Sequence, residues 1–156
     1  MLRWLWLSLA VLILDLGTKQ LASALLAYHQ PVAIFSGFNF TLLHNTGAAF
    51  SFLSDAGGWQ RWFFTAVALT VSGALLYWLK TLQRQQWLLA LALSLILGGA
   101  LGNLIDRVLF GYVIDFIDIY YRDWHWPAFN IADSAISVGA ALLIADTFFG
   151  RDQEEK

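Results

Sequence analysis

The 156-residue chain contains no cysteine. That excludes a disulfide framework, a thiol nucleophile and a thiolate metal site, and it excludes lipid attachment to a cysteine of the chain itself. Charge is also scarce. Only 13% of the residues are Asp, Glu, Lys or Arg, where a soluble domain has about a quarter. A surface so poor in charge is not built to face water on every side. With 59% hydrophobic residues and a mean hydropathy of +0.62, the chain reads as an integral membrane protein. A net charge of −2 lacks the basic footprint of a nucleic-acid partner. His29, His44 and His125 have no ligand spacing, so neither a metal nor another cofactor is expected. No serine sits in a nucleophile-elbow pattern. Repeats and low-complexity tracts are absent, and a single membrane domain over residues 1–156 is expected.

Four apolar segments approach the ~20 residues that cross a bilayer core, at about 4–26, 62–79, 87–105 and 131–149. The fold class expected is an all-α integral membrane protein of four transmembrane helices with a small extracytoplasmic β-sheet or loop region. The first segment, with Arg3 ahead of it and Ala22-Ser23-Ala24 behind, has the outline of a cleaved signal peptide. Asp15 and Lys19 inside the apolar run fit that poorly, and it is read as a membrane helix. All eight tryptophans lie at or just outside segment ends, as in an interfacial aromatic belt. Arg3, Lys80, Arg84, Arg151 and Lys156 fall on one side, against Arg61, Arg107 and Arg122 on the other. This puts both termini in the cytoplasm and the longer loops, about 27–61 and 106–130, outside. In the first of them Phe38 to Leu42 alternates as a strand would, Asn45 to Ala49 reads as a turn of small residues, and Ser54 to Gly58 as a linker.

Carboxylates, carboxamides and an arginine then appear where the chain is most apolar. An Asp or Arg at a membrane helix centre costs about 2.5–3.5 kcal/mol on insertion scales, so something must offset it. On the third segment Ala90, Ser94, Gly98, Gly102 and Asp106 recur every four residues and share one face. Small residues at that spacing suit close helix packing, and the face leads to Asn103, Asp106 and Arg107. On the fourth, Asn130, Asp133, Ser137, Ala141 and Ala145 share a face. Asp133 falls in the first turn, where a carboxylate favours the helix dipole. Asn130 as a helix cap and Asp106–Arg107 as a helix-end ion pair are the plain structural alternatives. Asp15 and Lys19 form an i, i+4 pair, which either neutralises itself or orients the polar cluster. Asp118 reads as a solvated loop residue.

Helical rise places these groups at one depth. From Trp87 the third helix reaches Asp106 after about 28 Å, Asp133 begins the return from the same side, and Asp115 lies in the loop between. Two carboxylates held close share a proton, and their pKa values separate. The ionised one can take a proton from an attacking water while the protonated one donates to the developing oxyanion. That is amide hydrolysis without a metal or a covalent intermediate. Spacing alone leaves Asp106, Asp115 and Asp133 as equal candidates.

Five stretches, in this order, make the chain resemble the signal peptidase II family along essentially its whole length. They are Asp15-Leu16-Gly17-Thr18-Lys19, Asn45-Thr46-Gly47-Ala48-Ala49-Phe50-Ser51, Gly102-Asn103-Leu104-Ile105-Asp106-Arg107, Val113-Ile114-Asp115-Phe116 and Phe129-Asn130-Ile131-Ala132-Asp133-Ser134. The resemblance implies an aspartyl endopeptidase of the bacterial inner membrane with Asp115 and Asp133 as its catalytic dyad. Asp15, Lys19, Asn45, Gly47, Asn103, Arg107 and Asn130 are then expected to line or support the pocket, with Asp106 as structural support. It implies a diacylglyceryl-modified prolipoprotein as substrate, cut before the lipidated cysteine on the periplasmic side. It also implies inhibition by globomycin-like cyclic peptides. A monomer in contact with membrane lipid is expected. The rival readings are a proton-coupled transporter, which would carry acids near the bilayer midplane on broken helices, and a structural subunit that would tolerate isosteric Asp→Asn changes.

Overall fold

A computed structural model of the chain describes residues 1–47 and 58–149. Four helices carry most of them: α1 (Leu5–Leu25), α2 (Gln60–Thr81), α3 (Trp87–Leu109) and α4 (Ile131–Phe149). Each is long and apolar enough to cross a membrane. Many of their large apolar side chains point outward, Leu9, Ile13, Leu14, Leu21 and Leu25 on α1 among them, as suits a lipid-facing surface. Beside the helices lies an antiparallel sheet in the order β1-β2-β3-β4, built from Val32–Phe35, Phe38–Asn45, Val113–Tyr121 and Trp124–His125. The expectation of an all-α protein is therefore too coarse. Strands β3 and β4 lie where a loop over 106–130 is expected from the sequence. Val113-Ile-Asp-Phe-Ile-Asp-Ile-Tyr-Tyr is dense in β-branched and aromatic residues, which favour a pleated surface over a coil. Residues 48–57, including the end of the expected small-residue turn at Ala48 and Ala49 and the linker up to residue 57, lie outside the described residues.

Helix α3 is the hub. Leu93 and Leu97 are almost fully buried, and with Leu75, Leu79, Leu82 and Leu89 they form an apolar cluster at the end of the bundle nearest Met1 and Trp4. The small-residue face works as close-packed surface. A methyl group on Gly98 would lie 2.7 Å from the Ser8 carbonyl oxygen on α1. One on Gly99 would collide with the Ala132 carbonyl of α4, and one on Gly102 with the Asp15 carboxylate. Glycine thus lets α1 and α4 approach α3 closely enough for polar side chains to reach across. The helix runs on through Asp106 and Arg107 to Leu109, past the predicted end at 105, so both charges are last-turn helical residues.

A second cluster, Ala22, Leu42, Ile114 and Phe116, fastens the sheet to the far end of α1. The pairing of β2 with β3 slips by one residue between Phe40 and Leu43. Because a one-residue slip exchanges the faces of a strand, β2 serves both sides of β3. Asn39 and Thr41 face Asp118, whereas Leu43 and Asn45 go with Asp115.

Candidate active site

Three elements bring the site together where α3 ends, α4 begins and β3 passes between them. Phe129, just ahead of α4, pairs with β3: its carbonyl accepts from the amides of Phe116 (3.1 Å) and Ile117 (2.9 Å), and its amide donates to the Ile117 carbonyl (3.1 Å). That pairing sets Asn130, the next residue, against Asp115.

Asn130 is fully buried and does two things with one carboxamide. Its Oδ1 accepts the Asp133 amide N–H at 2.8 Å, the capping role its position before the helix predicts. Its Nδ2 donates to Asp115 Oδ1 at 2.7 Å, and lies 3.2 Å from the Ile114 carbonyl. The plain reading of Asn130 as a helix cap is correct and incomplete. Asn45 on β2 donates to the other oxygen of Asp115 at 3.1 Å. Asn103 on α3 donates from Nδ2 to Asp133 Oδ1 at 2.7 Å. Each carboxylate therefore receives a carboxamide donor. Asp115 is 2% exposed, while Asp133 is partly open to the surface.

Burial raises the Asp115 carboxyl to about 7, and the nearby Asp133 carboxylate pushes the same way, against the Asn45 and Asn130 hydrogen bonds that favour the charged form. A carboxyl so placed exchanges a proton near neutrality, where a general acid or base is most useful.

Behind the two acids is a buried charge network. Lys19 on α1 meets Asp15 Oδ2 at 2.7 Å, Asn103 Oδ1 at 2.9 Å and Asp106 Oδ2 at 3.0 Å. Asp15 Oδ1 caps the Ala132 amide at the start of α4, at 2.9 Å. Asp106 Oδ2 also accepts the Ile114 amide at 3.0 Å, which fixes the strand residue just before Asp115. Arg107 donates to the Asn103 carbonyl at 3.3 Å and the Gly47 carbonyl at 2.9 Å, and its guanidinium sits over the Phe64 ring at 5.4 Å. Asp106 and Arg107 are thus not partners of one another, as a helix-end ion pair would require: each reaches a different segment. Every sequence-derived site residue lies in this connected network. Sequence reasoning missed the backbone groups that complete it, the amides of Ile114 and Ala132 and the carbonyl of Gly47, because no residue type announces them.

Asp118 is not the solvated residue that its position suggested. It is 6% exposed and accepts from Asn39 Nδ2 and Thr41 Oγ1, both at 3.0 Å, with His125 Nδ1 at 2.7 Å. Burial alone would raise its carboxyl, but hydrogen bonds from His125, Asn39 and Thr41 outweigh it and hold the group below the usual carboxylate range. It faces away from Asp115 and staples the β3–β4 hairpin to β2. Among the described residues, no group of three or more His, Asp or Glu has the geometry to hold a metal ion.

A family model described as signal peptidase (SPase) II matches residues 7–149. The lipoprotein signal peptidase of Teredinibacter turnerae is 58% identical over 149 residues, covering 96% of this chain and 89% of that protein. That of Alteromonas mediterranea is 54% identical over 155 residues, covering 99% and 85%. A solved structure described as a bacterial membrane enzyme superposes with a TM-score of 0.85 at 32% identity, covering 99% of this chain and 91% of that one.

Proposed function

The chain belongs to the signal peptidase II family, and on that premise we propose that it is a membrane aspartyl endopeptidase that removes signal peptides from diacylglyceryl-modified prolipoproteins, cutting just before the lipidated cysteine. Family membership and four helices able to cross a bilayer make it a multi-pass bacterial membrane protein. The observation that carries the aspartyl reading is the Asn130 bridge: one carboxamide donates to the Asp115 carboxylate and accepts from the Asp133 backbone.

In this reading the pair holds one proton between them. The ionised carboxylate removes a proton from water as its oxygen attacks the scissile carbonyl carbon. The protonated one donates to the carbonyl oxygen, giving a neutral tetrahedral diol. Collapse of the diol breaks the C–N bond: one hydroxyl proton returns to the pair, the leaving nitrogen takes a proton from it, and one proton again remains shared. The Asn45, Asn103 and Asn130 amides keep both acids in place without adding charge. A substrate anchored in the membrane by its diacylglyceryl group would hold the scissile bond at a fixed depth, raising its effective concentration.

Both termini lie in the cytoplasm of the inner membrane in this reading, with the site at the periplasmic face and globomycin-like cyclic peptides as inhibitors. The acids stand in the last turn of an unbroken α3, the first turn of α4 and a strand, an arrangement that does not suit a transporter's midplane site. The test is cleavage of a diacylglyceryl-modified prolipoprotein peptide by purified protein in detergent. Cleavage by the parent and loss in both Asp115→Asn and Asp133→Asn are expected. Undiminished cleavage in either variant overturns the dyad.

A further inference from the structure

A primary carboxamide can present oxygen or NH2 in a given direction by a half-turn of its end group, so its polarity has to be set by a neighbour. For Asn130 that neighbour is the Asp133 amide, which can only donate. For Asn103 it is Lys19. An ammonium has three N–H donors and no acceptor, so whatever it faces must offer a lone pair. The Lys19 side chain is 2% exposed, and its three donors are used on Asp15, Asp106 and the Asn103 oxygen. With its oxygen held at 2.9 Å from Nζ, Asn103 must turn Nδ2 the other way, onto Asp133 Oδ1 at 2.7 Å. Asn130 Nδ2, 3.3 Å from the same Asn103 oxygen, reinforces that choice.

We infer that Lys19 is a positioning residue for peptide cleavage: from a helix that supplies no reacting group, it fixes the polarity of Asn103 so that Asp133 faces a hydrogen-bond donor. The inference rests on the aspartyl reading above and deepens it. Ion pairs with Asp15 and Asp106 account for two of the three Lys19 donors; the third goes to a neutral oxygen, which ion pairing does not require. Were Asn103 reversed, an NH2 would face the ammonium and a lone pair would face the Asp133 carboxylate, exchanging two attractive contacts for two repulsive ones. Lys19 does not touch the open side of Asp133, so its loss alters turnover and proton exchange rather than substrate binding.

The experiment measures kcat and KM against pH for cleavage of a diacylglyceryl-modified prolipoprotein peptide by the full chain. The variants are Lys19→Met, Asn103→Leu and the double substitution, with Asp133→Asn as control. Lys19→Met is expected to lower kcat about tenfold or more, to leave KM within about twofold, and to move the acidic limb of the profile up by about one pH unit, because the ionised pair loses the fixed orientation of its Asn103 donor and the attraction of a nearby ammonium. In the Asn103→Leu background the same substitution is expected to change kcat several-fold less than in the parent, because the residue through which it acts is gone and only the direct attraction of the ammonium for Asp115 and Asp133 remains. Equal effects in both backgrounds, or an effect on KM alone, overturn the inference. Where Lys19→Met does not fold, Asn103→Asp decides: it keeps an acceptor for Lys19 but loses the donor to Asp133, so parental turnover in it also overturns the inference. Undiminished cleavage by Asp133→Asn would remove the aspartyl reading and this inference with it, a result distinct from those that sink the role of Lys19 alone.

Discussion

Asn130 donates to Asp115 at 2.7 Å while its own oxygen holds the amide of Asp133. One buried side chain thus couples the strand that carries one acid to the helix that carries the other. Asn130→Asp keeps the cap but sets a carboxylate against a carboxylate. Loss of a hydrogen bond to a charged group is worth about 1.5–3 kcal/mol, so kcat/KM should fall roughly ten- to hundredfold or more in a peptide-cleavage assay. Asn130→Ala should in addition lower thermal stability by about 1 kcal/mol through the lost cap.

The Asp115 carboxyl, raised to about 7, makes stability depend on pH with a definite sign. Its folded value lies above the unfolded one, so its contribution is complete below about 4 and is lost as pH rises through about 7. Asp115→Asn removes that dependence. Denaturation in detergent should show the variant gaining on the parent between pH 5 and pH 8 by an amount on the order of a few kcal/mol. Any constant cost of placing an Asn NH2 against Asn45 and Asn130 leaves this difference in slope untouched. Parallel curves would show that Asp115 is not held protonated by burial.

The same displacement governs activity. If the pair works with one proton, kcat/KM falls once the shared proton leaves, and the basic limb should lie near 7 in the parent. A profile flat from pH 6 to pH 9 would rule out a shared proton set by Asp115.

Asp118 offers a contrast. Its three donors tie β2, β3 and the β4 hairpin together on the face away from Asp115. Asp118→Ala should lower stability by about 1–3 kcal/mol, because Asn39 and Thr41 are left with buried unsatisfied donors. Cleavage at a permissive temperature should stay within about tenfold of the parent, since no reacting group is disturbed. Complete loss of cleavage in a folded variant would make Asp118 part of the catalytic machinery.

Close packing at α3 supplies a stability test. A methyl group at Gly99 meets the Ala132 backbone, which cannot swing aside as a side-chain tip can. Gly99→Ala should therefore destabilise by about 1–3 kcal/mol and should lower cleavage by displacing the start of α4, where Asp133 sits. Parental melting and parental cleavage together would show that α3 and α4 have room to part.

Local patterning along the chain is enough to show a protein built for a membrane, with four helices long enough to span it and polar residues gathered at one end. Hydropathy, the aromatic ends and the four-residue recurrence of Ala90, Ser94, Gly98, Gly102 and Asp106 are local properties of a helix and need no partner to be read. The five motif stretches were likewise legible, and with them every side chain of the candidate site. What those side chains do for one another emerges only when the chain is packed. The strand around Asp115 is not legible from its own residues because its pairing partner lies some 70 residues away. The one-residue slip between Phe40 and Leu43, which sends Asn39 and Thr41 to Asp118 but Asn45 to Asp115, leaves no mark on the alternation of β2. Which end of a carboxamide faces which carboxylate depends on Lys19, an ammonium on another helix. Periodicity reports which face a residue occupies; only the packed structure brings that face to a donor or an acceptor.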